Sequence, residues 1–152
     1  MTEPGDSSAS AGETQVVGIA HVAIAVTDAD AAATAWAALG AERAGEELLD
    51  QGTLRVVFLQ LGDVVLELLE PHSDDHTVAK FLRERGPGLH HMSLEVRDLQ
   101  ATLDRCRASG MRLVDMTPRP GAHGTRVAFL HPKSLGGVLV ELMQSEHGEE
   151  HP

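Results

Sequence analysis

The chain has one cysteine, Cys106, among its 152 residues, so no disulfide can form within it. It is also poor in cationic side chains, with 12 Lys and Arg against 23 Asp and Glu, and a formal charge of −11 offers no basic face to a nucleic acid. Glu3, Asp6 and Glu13 near the start and Glu146, Glu149 and Glu150 near the end account for more than half of that excess, which leaves local Arg or Lys free to hold an anionic ligand. No apolar run approaches the ~18 residues of a membrane span, and the N-terminus lacks the basic and apolar regions of a signal peptide. A cytoplasmic protein is expected. Residues 1–15 and 145–152 are small, polar and acidic, a composition that cannot repay ordering entropy, and they are expected to be disordered tails. A single domain is expected over 16–144, a length that buries enough apolar surface for one core.

What is present is a repeat. Gly18-Ile-Ala-His21-Val-Ala-Ile-Ala-Val26-Thr-Asp28 returns about 70 residues later as Gly88-Leu-His-His91-Met-Ser-Leu-Glu-Val96-Arg-Asp98. Gly40 answers to Gly110, and the strand-like stretch ending in Glu67 answers, with three residues inserted, to the one ending in Glu141. Each copy therefore carries one histidine and one glutamate at matching places.

In the first copy, residues 18–26 read as a strand. Asp28 can cap a helix whose Ala29, Ala32, Ala33, Trp36 and Leu39 share one face and which ends at Gly40. A short strand at 43–48 and a hairpin of strands 54–61 and 64–70 turning at Gly62-Asp63 complete a βαβββ module over 18–71. The second module, 88–144, repeats it: a strand at 89–96, a helix from Asp98 to Gly110 with Leu99, Leu103 and Cys106 inward, and strands near 112–116, 125–130 and 137–143. Between the modules, Ser73-Asp-Asp75 is expected to cap a linker helix closed at Gly86. The Pro- and Gly-rich 118–124 reads as an irregular loop. The expected fold class is α+β, with two βαβββ modules forming a curved eight-stranded sheet around a metal site.

A lone strand histidine is more often a satisfied core residue than a ligand; duplication shifts that balance. Glu67 and Glu141 each sit in an otherwise apolar strand, where an uncompensated carboxylate would cost several kcal/mol or be forced neutral. Two imidazoles and two carboxylates would suit a divalent cation and leave coordination positions for a bidentate oxygen substrate. Glu70 and Glu95 lack repeat partners and are expected to face solvent. His90 should point away from His91 and serve a structural or outer role.

The duplicated pattern resembles the vicinal oxygen chelate superfamily. The stretch from Pro118-Arg-Pro-Gly-Ala-His-Gly through His131-Pro-Lys133-Ser to Glu141-Leu, with Glu67-Leu-Leu-Glu-Pro71 and Gly88-Leu-His-His91, resembles the methylmalonyl-CoA epimerase family within it. The resemblance implies metal ligands His21, Glu67, His91 and Glu141. It also implies a divalent ion, cobalt foremost and Mn2+, Ni2+ or Zn2+ as replacements, and epimerisation of methylmalonyl-CoA at C2 through a stabilised enolate. Glu141 is the candidate catalytic base as well as a ligand. Some relatives carry a further catalytic glutamate where this chain, allowing one inserted residue, has Val56; the second acid is left among Glu46, Glu47, His123 and a metal-bound water. Arg126 and Lys133 are candidates for binding the acyl-CoA phosphates, and exposed sheet edges favour a homodimer. Two other readings of the same fold are a glyoxalase I acting on a glutathione hemithioacetal, which lacks the Arg-Pro-Gly-Ala-His-Gly pattern, and a non-catalytic drug-binding protein, which would not need four ligands.

Overall fold

The computed structural model describes residues 15–145; the expected tails at 1–14 and 146–152 lie outside the described residues. Gln15 is not tail-like. Its carbonyl accepts from Arg97 N–H at 2.9 Å and its side-chain oxygen accepts from Thr102 Oγ1 at 2.6 Å.

The described elements are β1 (Val16–Ala25), α1 (Ala29–Ala37), β2 (Glu42–Leu49), β3 (Leu54–Leu61), β4 (Val64–Pro71), α2 (Thr77–Arg85), β5 (Gly88–Val96), α3 (Leu99–Ala108), β6 (Arg119–Pro120), β7 (Arg126–Leu130) and β8 (Val140–Gln144), with 3₁₀ turns at Ala122–Gly124 and Pro132–Leu135. This is the duplicated βαβββ order. The strands are hydrogen-bonded in the order β2-β3-β4-β1-β5-β8-β7-β6; β1 and β4 run parallel, while β2–β3, β3–β4, β6–β7 and β7–β8 are antiparallel. No helix of the described residues is long and apolar enough to cross a membrane. The chain divides into two compact units, Ala20–Met92 and the described residues 15–19 with 93–145. The division falls inside β1 and β5 rather than between the repeats, so His91 is grouped with His21 and Glu67.

Within Ala20–Met92, Asp28 caps α1 by accepting from Ala31 N–H at 3.0 Å. Ala29 and Ala33 are small enough to let the helix backbone approach the sheet, and they pack on Val57, Leu59, Leu66 and Leu68 with Ala32 and Trp36 at the margin. Leu39, expected on that face, is 70% exposed, because the helix stops at Ala37 and Gly40 takes a φ of +97°. The linker helix α2 is capped by the His76 ring, which accepts from Val78 N–H at 3.0 Å, rather than by Ser73 or Asp75. Ser73 instead closes the preceding turn by accepting from Asp75 N–H.

The alternation of strands fixes the other face of this sheet. Glu67 stands opposite Ala23 on one side and Phe58 on the other, and Val56 stands opposite Leu69. Since residues directly opposite share a face, Glu67, Leu69, Phe58, Val56, Ala23 and Ala25 all point away from α1.

In the other unit, Asp98 caps α3 through Ala101 N–H at 3.0 Å, and Leu99 and Leu103 pack on Val96, Ala128, Leu130, Val140 and Leu142. Cys106 borders that core, and burial raises its thiol pKa, so it is a packing group. The strand expected at 112–116 does not form. Only Leu113 bridges to Leu130, while the Asp115 carboxylate accepts Phe129 N–H at 2.8 Å and so occupies the donor that a strand would need. The pairing moves to Arg119–Pro120, inside the stretch expected to be loop. Gly121 follows because a Cβ there would lie 2.7 Å from Val127 Cγ1. The last strand begins at Val140, not 137, since Gly136 and Gly137 both have positive φ.

Leu68 and Leu103 are fully buried in the two cores. Replacement of either by alanine should lower unfolding free energy by about 2–5 kcal/mol in urea titration, and a loss under 1 kcal/mol would contradict this packing.

Candidate functional site

The polar centre of the Ala20–Met92 unit grows from the face of the sheet opposite α1. His21 lies two residues before Ala23 on β1, so its ring shares that face with Glu67 of β4, whose Oε2 is 3.1 Å from His21 Nδ1. His91 on β5 brings its Nε2 to 3.3 Å from His21 Nε2, with the rings edge to face. All three side chains are buried. Burial holds the imidazoles neutral: His21 is lowered to about 4, and His91 to about 2, by desolvation and then by the charge that His21 and His90 would carry.

This arrangement fits a cation. Two nitrogens bound to one ion by ~2.1 Å bonds at right or tetrahedral angles stand about 3.0–3.4 Å apart, which matches the Nε2 pair. Glu67 on Nδ1 of His21 holds the proton on that nitrogen and leaves the Nε2 lone pair available, the usual way a carboxylate orients a ligating imidazole.

His90 does not turn away from its neighbour. Its Nδ1 lies 2.9 Å from His91 Nδ1, and its ring meets Phe81 of α2 edge to face at 4.9 Å between centroids. It thus positions His91 from behind. Burial foremost, then His76 and Arg85, lowers His90 to about 4.

Glu141 belongs to the other unit, on β8 opposite Phe129. It is 8% exposed, and desolvation raises its carboxyl to about 7; the Ser93 hydroxyl and Arg119 pull it down, and Asp115 pushes it up. A carboxyl with that value exchanges a proton readily near neutral pH. Arg126, at the start of β7, and Lys133, in the 3₁₀ turn, are exposed, as is His123, whose φ is +57°.

Sequence reasoning missed a second cluster, on the α1 side of the first unit. Arg55 of β3 makes paired hydrogen bonds to Glu46 (2.9 and 3.2 Å) and to Asp30 (3.0 and 3.1 Å), and Arg43 adds one to Asp30 at 3.0 Å. The arginines hold Asp30 down to about 2 and lower Glu46 as well. Glu70, expected in solvent, accepts from Ala29 N–H at 2.8 Å and from the His72 ring, completing the start of α1. The signal was present in the alternation of β3: Arg55, Val57 and Leu59 share one face.

Residues 20–129 match the family model of the glyoxalase/bleomycin resistance protein/dioxygenase superfamily. The ethylmalonyl-CoA/methylmalonyl-CoA epimerase of Cereibacter sphaeroides is 44% identical over 129 residues, covering 82% of this chain and 95% of that protein. The crystal structure of methylmalonyl-CoA epimerase from Mycobacterium tuberculosis superposes with a TM-score of 0.83 at 36% identity, covering 90% of this chain and 93% of that one. A methylmalonyl-CoA epimerase in complex with methylmalonyl-CoA and ammonium gives 0.81 at 35% identity, covering 86% and 96%.

The shifted groups act on stability with opposite signs. His21, His90 and His91 titrate at 6.5 when unfolded and far lower when folded, so the unfolded chain takes up protons first and stability falls as pH drops below about 6.5. Glu141, raised from 4.5 to about 7, favours the folded state at low pH and loses that contribution as pH rises through this window. Three imidazoles outweigh one carboxyl below pH 6.5. Chelator-treated protein should therefore melt at progressively lower temperature from about pH 6.5 to 4.5, and Glu141→Gln should steepen that decline. A flat melting temperature across the window would contradict the buried, neutral imidazoles.

Proposed function

Because this chain belongs to the glyoxalase/bleomycin resistance protein/dioxygenase superfamily and, within it, to the methylmalonyl-CoA epimerase family, we propose that it inverts C2 of methylmalonyl-CoA. The observation that carries the reading is the Nε2 pair of His21 and His91, 3.3 Å apart and buried beside Glu67. His21, His91 and Glu141 each offer one ligand atom to a candidate cation site; Glu67, the repeat counterpart of Glu141, faces His21 Nδ1 at 3.1 Å and would serve as a fourth donor only by turning from that contact. A divalent ion bound there, cobalt first and Mn2+, Ni2+ or Zn2+ in its place, supplies Lewis-acid withdrawal of charge from the thioester oxygen.

The C2 proton of the substrate lies between a thioester and a carboxylate, and its loss leaves an enolate. Glu141, whose carboxyl burial raises to about 7 in the metal-free protein, takes that proton in its ionised form, and a proton delivered to the opposite face of C2 completes the inversion. His21 and His91 stay neutral at working pH, so they present lone pairs rather than protons. His90 fixes the ring of His91 through the 2.9 Å nitrogen contact. Arg126 and Lys133 offer exposed cationic groups to the CoA phosphates. Exposed Val17, Ile19 and Leu89 give a second copy apolar surface to cover, in keeping with a homodimer.

Incubation of metal-loaded protein with one epimer of methylmalonyl-CoA in deuterated water should give C2 deuteration with loss of configuration. Glu141→Gln keeps an oxygen donor and removes the base, so metal should be largely retained while turnover falls at least ~100-fold. His91→Ala should lose metal and activity together. Full exchange by Glu141→Gln with metal bound would assign the base elsewhere, and absence of exchange by the wild type would remove the epimerase reading.

A further inference from the structure

We infer that the linker helix α2 is a positioning element for the cation site, with Phe81 holding the His90 ring in hydrogen-bond reach of His91; the inference rests on the cation site of the reading above. The two copies of the repeat differ at this point. His21 follows Ala20, whereas His91 follows His90 at the matching place. Nδ1 of His21 faces the Glu67 carboxylate at 3.1 Å, and Nδ1 of His91 faces Nδ1 of His90 at 2.9 Å. An imidazole therefore backs one histidine where a carboxylate backs the other.

A neutral imidazole has one nitrogen that donates and one that accepts, and the two can exchange roles. In the metal-free protein the His91 proton lies between the Nε2 pair, so His91 Nδ1 accepts from His90 Nδ1–H. A cation held by both Nε2 atoms needs lone pairs there, which places the His91 proton on Nδ1. His90 then accepts it at Nδ1 and carries its own proton on Nε2. Each ring keeps one proton throughout. The exchange works only while the His90 ring keeps Nδ1 turned to His91.

Phe81 keeps it there. Its ring meets the His90 ring edge to face, with centroids 4.9 Å apart, and Arg85, one helical turn on, lies over Phe81 with its guanidinium carbon 5.3 Å from the ring centre. The helix that carries Phe81 is held at both ends. At its start the His76 ring accepts from Val78 N–H through Nδ1, and its Nε2–H donates to the Asp50 carboxylate at 2.6 Å, in a β2–β3 turn where Asp50 and Gln51 both have positive φ. At its end only Gly86 and Pro87 separate it from β5. Val78 and Ala79 are buried and anchor its inner face. Phe81 is thus a positioning residue that acts on His91 through His90.

The test is a Co2+ titration of metal-free protein, with the visible absorption bands of the bound ion and the melting temperature of the metal-free form recorded for every variant. Phe81→Leu should weaken Co2+ binding about 10-fold or more and shift the bands, and His90→Leu should do the same. Phe81→Tyr keeps the ring and should retain wild-type affinity and bands. Because Phe81 acts through His90, the double variant should bind no worse than His90→Leu, within about threefold. Leu82→Ala, on the same helix but lining the cavity shared with Thr27 and Pro71, should lower the melting temperature and leave the affinity within about threefold of wild type. Unchanged affinity in Phe81→Leu, losses that add in the double variant, a loss in Phe81→Tyr or Leu82→Ala equal to that in Phe81→Leu, or a wild type that binds no Co2+ would each overturn the assignment. A wild type that binds Co2+ and weakens as stated in Phe81→Leu, but exchanges no C2 proton of methylmalonyl-CoA, would uphold the assignment and remove the epimerase reading.

Discussion

The rest of the site depends on one buried polar chain, Glu67 to His21 to His91, running through ring nitrogens at 3.1 and 3.3 Å. Polar groups placed this deep are costly unless paired, and with the His21 proton on Nδ1 its Nε2 accepts from His91 Nε2–H at a long 3.3 Å. The chain persists because the sheet over-determines it. β4 is locked to β1 in parallel and to β3 in antiparallel register, and α1 covers the opposite face with alanines that allow close approach. A one-residue slip of β4 would put Glu67 into the apolar layer under α1 and Leu66 or Leu68 into the site. The Arg55 cluster and the Glu70 contact to the start of α1 work against such a slip, since they tie β2, β3, β4 and α1 together on that other face.

Much of this was legible in the sequence. The repeat put the two histidines and two glutamates at matching places, and period-2 alternation with the caps Asp28 and Asp98 gave most strands and two of the helices. What could not be read was decided by side chains competing for backbone groups. Asp115 takes the Phe129 N–H and dissolves an expected strand, the His76 ring caps α2 in place of Ser73, and Gly40 ends α1 before Leu39 can join its face. Adjacent residues on a strand were expected to diverge, yet the His90 ring meets the His91 ring at Nδ1. Glu70 looked solvent-facing because nothing in its local pattern reveals that a helix start will rest on it.

The same contrast separates the two kinds of carboxylate in the molecule. Asp30 and Glu46 are exposed and held ionised by arginine, which suits a structural clasp. Glu141 is buried and raised to about 7, which suits proton exchange. Placement relative to cationic partners, rather than residue type, assigns them to different work.

Binding of a divalent ion by the neutral His21 and His91 together with Glu141 is the proposal on which the reaction rests. It is tested most directly by titrating metal-free protein with Co2+ near pH 6 in buffers of different ionisation enthalpy, which counts protons released on binding. His21 and His91, lowered to about 4 and 2, have none to give, whereas Glu141, raised to about 7, gives up its own. One ion per chain should bind with release of about one proton, and that release should be lost in Glu141→Gln. Release of two or three protons, or no saturable binding, would contradict it.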